Sequence, residues 1–329
     1  MGNKPFSMIT GTGVGIPEKI LTNKDFEKIV DTSDEWITER TGMKVRHIVE
    51  DGVYTSDLCA EAAQNALKAA GLKAEELDMI IIGTVTGDLQ FPSTACFVQE
   101  KIGATNAAAF DVAAACSGFL YALSIGDAMI ACGKAKKVLV IGAETLSRVT
   151  DYKDRATCVL FGDGAGAAVL EPAKDNRGIL DTFMKSNGKL HYLLYQSGGG
   201  TKYLPSQETI EQGMFYIKMA GREVFKYAVT AMGDAAEHIL EKTGLTNKDV
   251  DLLIPHQANK RIVDATAKRV KIPPERLFVN IEKYGNTSAA SIPLALDEAI
   301  KSGRVKEGDT IVLVAFGAGF TWASAAIVL

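Results

Sequence analysis

The sequence predicts an α/β fold built twice. Two observations carry this. Short apolar strands alternate with amphipathic helices along the chain, which indicates helices layered on a largely parallel sheet. The pattern then recurs in the second half. Ala70-Gly71-Leu72 followed by the run Asp78–Ile82 matches Thr243-Gly244-Leu245 followed by Asp251–Ile254 at an offset of 173. Further on, Asp127, Ile130 and Gly133 match Asp297, Ile300 and Gly303 at an offset of 170, each group followed by an apolar strand. A period of half the chain predicts two fused copies of one unit, residues 1–172 and 173–329.

Composition sets the outer limits. The chain has 329 residues, 47% hydrophobic and 23% charged, which allows a large core. A net charge of −4 argues against bulk attraction to nucleic acid or membranes. The five cysteines, Cys59, Cys96, Cys116, Cys132 and Cys158, suggest neither a disulfide framework nor a metal site. No apolar run approaches the about 18 residues of a membrane span. No secretory leader is read at the start, so a cytoplasmic protein is expected.

In chain order, residues 6–15 read as a strand ending in glycines, without the G-x-G-x-x-G of a dinucleotide loop. Residues 32–35 offer N-caps to a helix carrying Trp36 and Ile37 that stops near Gly42. A clean amphipathic helix spans 55–70, a buried strand 78–84, a helix 94–102 and a buried strand 136–142. Strands follow near 166–172 and 179–184. Residues 185–213 have weak periodicity and read as an irregular insertion. A helix near 219–242 leads into the second copy.

Cys116 is the first candidate for chemistry. It lies in Asp111-Val-Ala-Ala-Ala-Cys116-Ser-Gly-Phe119, where an apolar run becomes a helical pattern. A helix N-terminus offers unpaired N–H groups and positive potential, which favour an anion such as a thiolate. A free thiol is only roughly 3% ionised at neutral pH. The alternative is a small buried hydrophobe. The ungapped offset of 170 pairs Cys116 with Asn286, which also introduces a helix after a strand-like run and reads locally as an N-cap. Of the four histidines, His256 stands out. It follows Leu-Leu-Ile-Pro, so proline holds it at a strand tip on the sheet edge where α/β folds bind ligands. Packed about a pseudo-twofold axis, the halves bring Cys116, His256 and Asn286 together.

Cysteine, histidine and asparagine admit two chemistries. Asparagine can orient a histidine that activates cysteine for hydrolysis. Alternatively, histidine and asparagine both donate hydrogen bonds to a developing enolate while cysteine carries an acyl group. The stretch around Cys116 lacks the local signature of papain-like hydrolases.

Five motifs carry a resemblance: Asp111–Phe119 (DVAAACSGF), 254–259 (IPHQAN), 284–291 (YGNTSAAS), 161–168 (FGDGAGAA) and 315–322 (AFGAGFTW). Together they resemble the β-ketoacyl-acyl-carrier-protein synthase III family of thiolase-like condensing enzymes. The resemblance runs from the first strand to the C-terminus. It implies a thiolase-like, duplicated five-layered α/β/α/β/α fold and a homodimer. It also implies an acyltransferase that starts fatty-acid synthesis without a metal or resident cofactor. Cys116 would take an acyl group from acetyl-CoA or another short acyl-CoA. Malonyl-acyl-carrier protein would then lose CO₂, with His256 and Asn286 stabilising the enolate that attacks the acyl-cysteine.

Further site residues follow from the resemblance. The backbone N–H groups of Cys116 and Ala318 would form the oxyanion hole. The CoA adenine would lie between Trp36 and Arg155, with Arg40 and Thr41 near the nucleotide and Asn259 near the pantetheine. An acidic carrier protein needs a basic dock, and Lys260, Arg261, Lys268 and Arg269, with Lys226, supply one. No aromatic interleaving supports nucleic acid as the partner of that patch. Phe91 would close the acyl pocket at the dimer interface.

Overall fold

A computed structural model describes residues 5–329. The reading of a missing leader therefore lies partly outside the described residues. The first half contains β1 (Ser7–Gly15), α1 (Asp34–Thr41), α2 (Thr55–Ala70), β2 (Met79–Gly83), α3 (Thr94–Ile102), β3 (Ala108–Val112), α4 (Gly118–Ala131), β4 (Val138–Thr145) and β5 (Asp163–Pro172). The second contains β6 (Gly178–Ser186), α5 (Gly221–Thr243), β7 (Leu252–Pro255), α6 (Lys260–Arg269), α7 (Ser291–Lys301), β8 (Thr310–Gly317) and β9 (Thr321–Val328).

Local chemistry explains the boundaries. Ser33 caps α1 by accepting from the Trp36 N–H, and Gly42 ends it at φ 82°. Gly71, Gly103 and Gly244 end α2, α3 and α5 in the same left-handed conformation. The glycines of β1 serve packing. A Cβ at Gly11, Gly13 or Gly15 would come within 2.2–2.4 Å of α2 backbone atoms, so the helix lies directly on the strand.

The first sheet has the order β1-β5-β4-β2-β3 and the second β6-β9-β8-β7. Position by position, the pairings agree. β1/β5 and β6/β9 are antiparallel, as are β5/β4 and β9/β8. β4/β2 and β8/β7 are parallel. β3 adds a parallel edge to β2, and a single parallel bridge from Leu253 to Leu277 takes that position in the second sheet. The expected largely parallel direction holds in both sheets: only β5 in the first and β9 in the second run against the other strands. A hydrophobic run does not reveal which strand is reversed.

Burial defines five layers. Helices α4 and α7 share one apolar core with the inner faces of both sheets. The outer face of the first sheet packs on α2 and α3, and that of the second on α5 and α6. The repeated acids anchor the central helices: Asp127 accepts from Ser7 at 2.6 Å and Asp297 from Thr12 at 2.9 Å. The stretch 185–213 is irregular as expected, apart from the end of β6, short turns and a five-residue helix, Gln207–Glu211.

Candidate active site

Beyond β3 the chain turns at Ala115, whose φ is 46°, into a single 3₁₀ turn, Ala115–Ser117. Helix α4 begins at the next residue, so Cys116 sits just before a helix N-terminus. At the end of β8, Gly317 covers the Cys116 backbone; a Cβ there would lie 2.6 Å from the Cys116 nitrogen. Only glycine permits that approach.

Cys116 keeps part of its surface on a cavity, yet the protein around it removes most hydration from the sulfur. Burial pushes the thiol up to about 12, and the nearby Glu144 carboxylate adds to the rise. The Ser288 hydroxyl and the backbone N–H of Cys116 act in the opposite direction. Enclosure thus works against the ionisation that a helix start favours.

His256 continues the ladder of β7 by donating its N–H to Val314 O at 2.8 Å. The side chain is 1% exposed. Its Nδ1 lies 2.6 Å from the Ser291 Oγ, at the first residue of α7. Burial holds the imidazole down to about 3, so it is neutral. A Ser291 hydroxyl that donates to Nδ1 fixes the ring proton on Nε2. Asn286 is also buried, and its Oδ1 accepts the Ser288 N–H at 2.9 Å. That bond occupies the amide oxygen and leaves the NH₂ group as the free donor.

Cys116, His256 and Asn286 line one cavity with Gly317. Its remaining wall is mostly apolar, including Val224, Phe225, Met232, Ile262 and Phe316. The arrangement places a thiol, a neutral imidazole and an amide on the wall of one mostly apolar cavity.

The duplication reaches the site with a changed register. Ala115 at φ 46° and Ser288 at φ 50° each open a 3₁₀ turn that leads into α4 or α7. These equivalents are 173 apart, so Cys116 corresponds to Ala289, not to Asn286. Helix α4 has 14 residues and α7 has 11, and that difference moves the offset to 170 by the helix ends. The two turns do face each other. A Cβ on Gly118 would sit 3.3 Å from that of Ala289.

The residues expected around CoA form a second group. The Arg155 guanidinium lies over the Trp36 ring at 4.9 Å from its centre. Arg40 is exposed, and its carbonyl accepts from Asn259 Nδ2 at 3.1 Å. Asn259 also caps α6 through the Arg261 N–H at 2.9 Å and lines the cavity. Thr41 departs from its expected setting. It is buried, and its hydroxyl donates to Ile37 O and accepts from the Met43 N–H. That hydroxyl is committed to closing α1.

The basic patch divides. Lys226, Arg261 and Lys268 are exposed, and among the described residues no ion pair within 4.0 Å involves them. Arg261 rests over the Phe225 ring, a cavity wall, at 5.2 Å. Lys260 pairs with Asp264 at 2.6 Å. Arg269 pairs with Asp234 and Glu237 and folds against Gly233 on α5. Arg269 is thus an interhelix tie, and its charge is already matched. Phe91 is 85% exposed. Ala318 is not among the residues with positive φ, so its methyl needs no left-handed backbone.

Four nearby residues were not singled out from the sequence. Ser291 holds His256, while Ser288 and Glu144 lie behind Cys116. Arg222 is exposed one turn before Lys226 on α5. The serines stand in the 284–291 motif and could have been found there. Glu144 lies near the end of an apolar strand and carried no local signal. Among the described residues no cluster of three His, Cys, Asp or Glu side chains could hold a metal ion.

Comparison with known proteins agrees with this geometry. Residues 110–188 match the family described as 3-oxoacyl-[acyl-carrier-protein (ACP)] synthase III, and residues 240–329 match its C-terminal part. A β-ketoacyl-[acyl-carrier-protein] synthase III of Caldanaerobacter subterraneus is 54% identical, over 97% of this chain and 96% of that protein. One of Xanthomonas campestris is 52% identical, over 99% of both chains. The crystal structure of 3-oxoacyl-[acyl-carrier-protein] synthase III from Aquifex aeolicus superposes with a TM-score of 0.92 at 51% identity, covering 98% of this chain and 100% of that one. With its duplicated layers and its cysteine, histidine and asparagine on one cavity, this chain belongs to the β-ketoacyl-acyl-carrier-protein synthase III family.

Proposed function

We propose that this protein catalyses the decarboxylative condensation of a short acyl-CoA with malonyl-acyl-carrier protein, the initiating step of fatty-acid synthesis. The observation that carries this reading is the fixed imidazole of His256 and the fixed amide of Asn286 on the same cavity as Cys116. Ser291 and Ser288 occupy the acceptor atoms of His256 and Asn286, which leaves N–H groups for the substrate.

In the first half-reaction the Cys116 sulfur attacks the thioester carbonyl. The tetrahedral oxyanion accepts from the N–H groups of Cys116 and Ala318. The CoA thiolate leaves, is protonated, and an acyl-cysteine remains. In the second, the malonyl C–C bond to the carboxylate breaks, CO₂ departs, and the electron pair becomes an enolate. His256 Nε2–H and Asn286 Nδ2–H hydrogen-bond its oxygen. The enolate carbon attacks the acyl-cysteine and releases the β-ketoacyl product with regeneration of the thiol. Neutral donors stabilise this enolate without protonating its carbon. Each such donor is worth about 3–4 kcal/mol in related oxyanion sites.

The two repeat units, residues 1–172 and 173–329, divide this work: the first supplies the nucleophile, the second the donors. The CoA arm runs from the cavity past Asn259 toward Arg40 and the Trp36–Arg155 stack. Adenine entering that stack separates the two by the thickness of a ring. The free cations Lys226, Arg261 and Lys268, with Lys260 beside them, receive the acidic carrier protein. The exposed Phe91 is buried in a homodimer, where it closes the acyl pocket. The reaction needs no resident metal or cofactor and takes place in the cytoplasm.

Labelled acetyl-CoA tests the reading. The protein should retain the label at Cys116 and pass it to a condensation product when malonyl-carrier protein is added. Cys116→Ala should retain none. Retention of label by that variant, or release of free acetate in place of condensation, would overturn it.

A further inference from the structure

Glu144 is a wholly buried carboxyl that the condensation steps leave unused. It is the last residue but one of β4 and meets donors from two directions. The Val85 N–H reaches its oxygens at 3.2 and 3.3 Å, the Thr84 hydroxyl at 3.3 Å, and the Thr86 hydroxyl bonds it as well. From the second half, the Ser288 hydroxyl donates to Oε1 at 3.2 Å. Among the described residues no cation pairs with it. Ser288 also lies against the Cys116 sulfur and favours its ionised form. One hydroxyl proton thus has two acceptors, a carboxylate and a sulfur, and it can serve only one at a time.

We propose that Glu144 is a positioning residue for the nucleophile, and that its charge decides whether the Ser288 hydroxyl serves the carboxylate or the Cys116 thiolate. When ionised, Glu144 takes the Ser288 proton, and its negative charge opposes a second anion nearby. When neutral, it donates its own proton to Ser288 Oγ, and the serine proton turns to the sulfur. The same change removes the opposing charge. The device keeps the resting cysteine as a thiol and favours thiolate when the carboxyl is neutral.

Burial supports a carboxyl that changes state under working conditions, because it raises Glu144 to about 7. The other titratable groups nearby do not compete. Cys59 on α2 faces Glu144 from the outer side and is held well above its ordinary value by burial. Asp88, Asp111 and Lys101 act on Cys59 from beyond it. Asp163, opposite Thr145 on β5, is occupied by Ser147 and the Val49 N–H.

The inference rests on Cys116 as the nucleophile, but its test reads the thiol directly and needs no substrate. Cys116 alkylation by iodoacetamide is followed against pH, with the site of modification identified by peptide mass. Glu144→Gln mimics the neutral acid. It should alkylate at the wild-type rate at about pH 5.5, where Glu144 is already neutral, and about tenfold faster at about pH 8.5. Ser288→Ala should do the reverse, slower than wild type at about pH 5.5 and equal to it at about pH 8.5. In the double variant the Glu144→Gln gain should shrink. A ratio to wild type that is the same at every pH, in either variant, would overturn the proposal. Ser288→Ala decides the matter alone should Glu144→Gln not fold. Failure of acetyl labelling at Cys116 would instead strike the condensation reading.

Discussion

In the proposed reaction Cys116 gives up a proton where its charge is poorly solvated, and His256 stays neutral beside it. Both conditions follow from enclosure, and enclosure has a measurable signature. His256 is lowered from 6.5 to about 3 by burial. Between those values the unfolded chain binds the extra proton, so this contribution to stability is complete above about pH 6.5 and is lost as pH falls toward 3. Glu144 runs the other way. Raised from 4.5 to about 7 by burial, it contributes stability below about pH 4.5 that is lost as pH rises through about 7. In wild type the two trends oppose each other between about pH 4.5 and 6.5, each at up to about 1.4 kcal/mol per pH unit. His256→Gln should leave Glu144 unopposed. Its urea midpoint, relative to wild type, should then fall as pH is raised across that range. Parallel curves for the two proteins would contradict this account of His256. The meeting of Cys116, His256 and Asn286 on one cavity was legible in the sequence, but their protonation states were not. Those depend on neighbours such as Glu144 that are distant in the chain.

At the scale of elements, α6 connects the site to its surface. Asn259 caps it, ties it to α1 and borders the cavity. The sequence assigned five cations to one docking face, four of them on the exposed part of a single helical stretch. Helical spacing indicates which side chains leave the core, but not which are already matched by a neighbouring helix. Arg261 is exposed and unmatched, whereas Arg269 is held by Asp234 and Glu237 on α5. Charge reversal separates the two roles. Arg261→Glu should raise KM for malonyl-carrier protein about tenfold while leaving acyl-CoA loading alone. Arg269→Glu should lower thermal stability, since it places three carboxylates together, and should change KM less. Equal effects of both reversals on KM, measured by steady-state condensation, would contradict the division. Thr41 teaches the same lesson. The sequence pointed to its place at the end of α1, but not to the use of its hydroxyl inside that helix.

For the whole molecule, the duplication was legible because strand and helix boundaries recur at a constant offset. The true equivalence at the centre was not, because α7 is three residues shorter than α4 and the offset changes inside the helices. The largely parallel direction was legible, but the one reversed strand in each sheet, β5 or β9, was not. What the fold achieves is a meeting of two left-handed turns, at Ala115 and Ser288, across the middle layer. One turn presents the sulfur. The other orients Asn286 and begins the helix whose first residue holds His256. The central claim is therefore a division of labour between halves, and separate assay of the half-reactions tests it most directly. Acyl-enzyme formation is read by intact mass, and CO₂ release from malonyl-carrier protein by label. His256→Ala and Asn286→Ala should still form the acyl-enzyme but release CO₂ about 10²–10³-fold more slowly. Loss of acyl-enzyme formation in folded forms of either variant, with CO₂ release intact, would contradict the account.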